Sequence, residues 1–179
     1  PPRRHSRSHH GAASSLRRAA HESHSHAVGW ATPKARAVSH TPWDGFIDFD
    51  RVKSLYKEGI RRHGGQEGPP RDGCVEGSLG GAWSAEQYQE PSPGMVEGFV
   101  FAGFLLYYLA KNHCFPDGNK RAAWMAATDV LLSIGASLDA TDDDAEQMVV
   151  AVAKGEISSG TEVVQWLAER LIPIPPEIP

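Results

Sequence analysis

Nine consecutive residues, His113-Cys114-Phe115-Pro116-Asp117-Gly118-Asn119-Lys120-Arg121, bring together a base, a carboxylate, a glycine and two cations. His113 is the side chain in this run able to accept a proton near neutral pH. Asp117 offers a hard oxygen ligand for Mg²⁺, the usual companion of nucleotide phosphates. Gly118 permits close approach to the backbone where a helix is expected to begin, and a helix start presents unpaired N–H groups to an anion. Lys120 and Arg121 then fall in the first helical turn, where cations oppose the helix dipole and cost stability unless an anion sits there. A local rule broken in this way points to function. The combination reads as phosphate transfer to a hydroxyl that His113 deprotonates.

Each residue also has a structural reading. A lone histidine between helices serves as a cap or a hydrogen-bonded core residue, Pro-Asp and Asp-Gly are ordinary turn dipeptides, and Lys120 and Arg121 suit a solvated face. Phe115 is core in either case. Cys114 beside His113 does not make a thiol protease, because a catalytic cysteine and histidine meet across a fold and not as chain neighbours.

The elements that must position this run are helical. Asp48 can cap a helix whose Phe49, Val52, Leu55, Tyr56 and Ile60 repeat at the spacing of one buried face, ended by Gly64-Gly65. Residues 66–94 are rich in Gly and Pro and read as a long loop. Met95 to Asn112 is apolar nearly all round, as a helix enclosed by others would be. A helix from about Asn119 to Ile134 follows and closes at Gly135. Asp142 opens another with Ala145, Met148, Val149 and Val152 inward, ended by Gly155. Thr161 opens the last, and the Pro-rich end from Pro173 cannot continue it. Five helices, two of them a central helix-loop-helix, make the expected fold class all-α, with residues 43–173 as the folded domain.

The chain has 179 residues and a formal charge of -4, and the charge is unevenly spread. Residues 1–40 carry 7 Lys and Arg, 7 His and one acid, Glu22, while the rest carries 11 basic against 21 acidic side chains. With no sustained apolar period, residues 1–42 are expected to be a disordered basic tail; the same composition also suits a transit peptide or weak metal binding. Residues 174–179 form a Pro-rich end. Two cysteines, Cys74 and Cys114, are too few for a disulfide framework and lack zinc-finger spacing, so a reducing cytoplasm is the expected location. No apolar stretch reaches the roughly 20 residues of a membrane helix.

HCFPDGNKR resembles the signature of the Fic/Doc superfamily, H-x-F-x-(D/E/N)-(G/A)-N-(G/K)-R, and Lys120 is similar to the death-on-curing (Doc) branch. Leu106 to Asn112 before it resembles the Doc central helix, Arg121-Ala122-Ala123 the usual Arg-Thr-Ala, and Lys154-Gly155-Glu156 with Trp166-Leu167 the last helices. Upstream, His63-Gly64-Gly65 and Arg71 to Leu79 are similar to the first helix end and the flap. The resemblance covers about residues 46–172.

The resemblance implies His113 as general base and Asp117 as a holder of Mg²⁺. Gly118, Asn119, Lys120 and Arg121 would hold the ATP phosphates. A flap of Arg71, Asp72, Gly73, Cys74, Val75 and Glu76 would align a protein target by strand addition. AMP-transferring relatives carry Gly where Lys120 stands and a second Arg where this chain has Trp124. The expected activity is therefore Doc-like: a toxin-type phosphotransferase moving the γ-phosphate of ATP to a protein Ser, Thr or Tyr hydroxyl, by resemblance on elongation factor Tu, and held in check by a separate antitoxin. Fic-type AMP transfer and a non-catalytic binding module are the alternatives. No specific nucleic-acid binding is expected. Ser54-Leu55-Tyr56-Lys57-Glu58-Gly59 also fits an (S/T)-x-x-x-E-(G/N) inhibitory signature, which would make Ser54 and Glu58 an internal brake.

Overall fold

The computed structural model describes residues 41–89 and 96–173. The tail expected over residues 1–42 lies outside the described residues up to position 40, as does the end at 174–179. The described residues belong to a compact unit, Ser39–Pro179. Its elements are α1 (Phe49–His63), α2 (Cys74–Tyr88), α3 (Phe99–Asn112), α4 (Asn119–Ser133), β1 (Ala136–Leu138), α5 (Asp142–Lys154), α6 (Gly160–Ala168) and β2 (Leu171–Pro173). The expected all-α, Fic/Doc-like architecture is what forms, with one addition: β1 and β2 pair antiparallel, Ala136 opposite Pro173 and Leu138 opposite Leu171.

α3 is the axis, packed against α2, α4, α5 and α6. Phe99, Phe101, Leu105 and Leu106 are wholly buried, each contributing about 1.5–3 kcal/mol by leaving water. Gly103 lets α6 cross closely, since a Cβ there would stand 2.6 Å from Val164 Cγ2. Side-chain caps set three other helices. Asp48 accepts from Arg51 N at the start of α1, Thr141 and Asp144 form a reciprocal box on α5, and Ser159 and Glu162 do the same on α6. Arg51 adds a two-point ion pair to Asp129, joining α1 to α4.

The long loop expected over 66–94 is instead mostly α2. Its inward face, Val75, Ser78, Leu79 and Ala82, has helical spacing, but Gly77, Gly80 and Gly81 mask it in the sequence. Gly81 is there because the helix lies against Tyr108: a Cβ would fall 2.9 Å from Tyr108 Cε2. Packing thus outweighs the propensity cost of about 1 kcal/mol per glycine. Glu86 near the end of α2 accepts from Gly98 N (2.9 Å) and Phe101 N (2.6 Å), capping α3. Since the start of α2 lies beside the end of α3, the two helices run antiparallel. That arrangement corrects the cysteine reading as well: Cys74 and Cys114, 40 residues apart, form a disulfide with Cα atoms 5.4 Å apart.

Candidate active site

α3 stops at His113, whose backbone is left-handed (φ 49°, ψ 55°). It is the one non-glycine residue with positive φ among the described residues, and such backbone strain costs on the order of 1–3 kcal/mol. The turn it makes leaves the imidazole exposed, without a hydrogen bond, on the wall of a cavity of about 760 Å³. The loop beyond is tightly braced. Phe115 is buried and stacked on Tyr56, ring centroids 3.9 Å apart. Asn119 closes the turn by accepting from Phe115 N and donating to Phe115 O, both at 2.7 Å. Asn119 therefore shapes the loop, a role different from the phosphate contact expected of it.

Gly118 opens α4 with φ 71°, and a Cβ there would press to 2.9 Å from Ile60 Cδ1. No side chain caps α4, so its first-turn amides keep their donors for something else. The Lys120 side chain lines the same cavity and makes no ion pair. Asp117 accepts from Gln66 N (3.1 Å) and Gly118 N (2.6 Å). Those two amides, with the Arg121 charge behind them, hold its carboxyl below the usual carboxylate range. Asp117 is thus ionised and exposed, as a Mg²⁺ ligand needs to be, and one carboxylate together with substrate phosphates is a common Mg²⁺ arrangement. No cluster of three or more candidate metal ligands occurs among the described residues.

Arg121 borders the cavity, but its guanidinium is engaged. It donates to Gly59 O at 3.0 Å and Gly64 O at 2.9 Å, tying α4 to the end of α1. Beyond it the lining passes to Trp124 and Met125 and to α5, which brings Ala145, Val149, Val150 and Ala153 together with Asp142, Glu146 and Lys154, while His63 joins from α1. Trp124 stands edge-on to Trp166 at 6.3 Å, and Arg170 covers Trp166 at 4.1 Å, so this wall is buttressed. The contribution of α5 and of His63 went unforeseen. Residues 145, 149 and 153 do lie four apart, but a one-sided apolar stripe reads simply as core.

Two expectations about neighbouring residues are corrected. Of the proposed flap, Arg71, Asp72 and Gly73 form a turn, but Cys74, Val75 and Glu76 are the first turn of α2, with Val75 buried. Helical residues cannot pair with an added strand. Residues 64–70 form no helix or strand and lie over the signature loop: Gln66 meets Asp117, Gly68 packs on Pro116, and just beyond them Arg71 N donates to Cys114 O at 2.8 Å. Nor does Glu58 reach the phosphate end. It is bound by Arg61 and Arg62 on α1, which push its carboxyl down to about 2, while Ser54 is simply exposed.

A base on a strained turn, an uncapped helix start and a braced loop are now assembled from one stretch of chain. Residues 46–131 match the Fic/DOC family. The Fic/DOC match runs from just before α1 nearly to the end of α4 and includes the whole of His113 to Arg121; α5, α6 and the ribbon lie beyond it. Fic/DOC proteins are typically transferases that modify other proteins. No curated protein matches this chain. No helix among the described residues is long and apolar enough to cross a membrane.

Proposed function

We propose that this chain is a Doc-type phosphotransferase that moves the γ-phosphate of ATP to a hydroxyl of a protein. The observation that carries the reading is the division of the cavity: His113, Lys120 and the open start of α4 at one end, Trp124 and the apolar face of α5 at the other. A triphosphate suits the first end and a nucleoside the second. Trp124 cannot grip a phosphate as a second Arg would, and the open amides of α4 with Lys120 favour the polyphosphate at the His113 end, which puts the γ-phosphate nearest the base.

In that arrangement His113 takes the proton of the target hydroxyl as its oxygen bonds to the γ-phosphorus, and the bond to the β-phosphate oxygen breaks to release ADP. The α4 amides and Lys120 hold the phosphate oxygens. Asp117 would hold Mg²⁺, which supplies charge neutralisation between the phosphates when bound. Glu58 is occupied by Arg61 and Arg62, which favours control by a separate antitoxin over an internal brake.

The test uses ATP labelled at the α or the γ position, incubated with the protein and either a cell lysate or purified elongation factor Tu. Label should reach a protein from the γ position alone, with ADP formed. Label from the α position with release of pyrophosphate would establish AMP transfer instead. Absence of both would favour a binding module.

A further inference from the structure

We propose that the Cys74–Cys114 disulfide is a positioning device for His113, and that its reduction by a dithiol lowers turnover without emptying the nucleotide site. The proposal rests on the phosphotransferase reading above. Cys114 follows His113 directly, so the bridge fixes the residue next to the strained left-handed turn. At its other end Cys74 is the first residue of α2, a helix anchored along α3 by Val75 and Leu79. The bridge thus pins the chain just past His113 to a helix packed along α3. The hydrogen bonds at this spot cluster around the same link: Arg71 N to Cys114 O, the Arg71 guanidinium to Asn112 O, and Asn112 Nδ2 to Ser78 Oγ at 3.1 Å. Without the covalent link, the strained left-handed turn at His113 is held by these hydrogen bonds alone. The ATP phosphate donors on α4 are braced separately, through Asn119 and Phe115.

The two sulfurs differ in access. Cys114 is 1% exposed, whereas Cys74 is half-buried and lines a second depression of about 480 Å³ with Arg71, Asp72 and Tyr108. A thiolate of the dithiol therefore attacks Cys74 Sγ. The S–S bond breaks, and Cys114 leaves as a thiolate that takes up a proton. The second thiol of the reductant, as thiolate, then attacks its partner sulfur in the mixed disulfide and releases Cys74. Two electrons pass to the protein and the dithiol becomes a cyclic disulfide. The Arg71 guanidinium, 3.5 Å from Cys74 Sγ, favours negative charge on that sulfur as it departs.

The experiment compares the full chain oxidised, reduced with dithiothreitol, and as Cys74→Ser/Cys114→Ser, all below the melting temperature of the reduced form. Three quantities are read: Mg-ATP affinity, the rate of γ-labelling, and the His113 imidazole resonance by NMR. Reduction and the double substitution should leave ATP affinity within about twofold, lower the labelling rate roughly 10–100-fold as small misplacements of a catalytic group do, and shift the His113 resonance. Reoxidation should restore the wild type and not the variant. Equal labelling rates in both redox states, or two free thiols in the air-oxidised protein, would overturn the proposal. If neither state labels a protein, the phosphotransferase reading falls, and an unchanged His113 resonance on reduction would separately overturn the positioning role.

Discussion

His113 carries a conformational load and, in the proposed reaction, a chemical one, and substitutions can part them. Replacing it with Gly relieves the positive φ, so His113→Gly should raise stability by about 0.5–1 kcal/mol while lowering transfer roughly 10²–10⁴-fold, the usual cost of losing a general base. Thermal melts and γ-labelling measured on one preparation check both halves; a folded His113→Gly protein with full activity would remove the base assignment. Trp124 is tested differently. If it is a nucleoside wall, Trp124→Ala should raise the KM for ATP about tenfold and leave the affinity for inorganic tripolyphosphate unchanged, since the lost contact is apolar. Asp117 and Glu58 are both ionised below the usual carboxylate range, for unlike reasons: backbone amides in the first case, Arg61 and Arg62 in the second. A depressed carboxylate stabilises the fold above its unfolded value, and that contribution is lost as pH falls through the folded value. For Glu58 the window runs from 4.5 down to about 2. The acid limb of the stability curve should therefore be shallower in Glu58→Gln than in the wild type, as urea midpoints across that range would show.

Among the elements, Gly118 is where helix start and site coincide. Gly118→Ala places a Cβ 2.9 Å from Ile60 Cδ1 at φ 71°, and should cost on the order of 1–3 kcal/mol and weaken ATP binding in the same variant, measurable by urea titration and calorimetry. The elements the sequence disclosed were those with caps and clean periods. Asp48 to Gly64 and Asp142 to Gly155 fall where their residues say, because local hydrogen bonds and one buried stripe decide them. α2 did not disclose itself. Gly81 is required by Tyr108, a residue far along the chain whose approach no local pattern encodes. For the site, the nine-residue run located the base, the helix start and the carboxylate. What it could not show is which donors are already spent: Asn119 on Phe115 within the run itself, and Arg121 on the carbonyls of Gly59 and Gly64, which is settled by where α1 and its end lie.

For the molecule as a whole, the disulfide closes a 40-residue loop spanning α2 and α3. By the chain-entropy estimate its loss should reduce stability by about 4 kcal/mol, seen as a lower urea midpoint for the reduced protein. A further consequence lies in the grip of Arg121 on the end of α1. Any anion that draws this guanidinium into the cavity takes two donors away from Gly59 and Gly64, so nucleotide binding and order in residues 64–70 compete for one side chain. Such competition is reciprocal: whatever clamps residues 64–70 from outside disfavours the nucleotide by the same factor that the nucleotide disfavours the clamp. If ATP binds as proposed, a protein that touches only residues 64–70, and no atom of the cavity, sets that affinity.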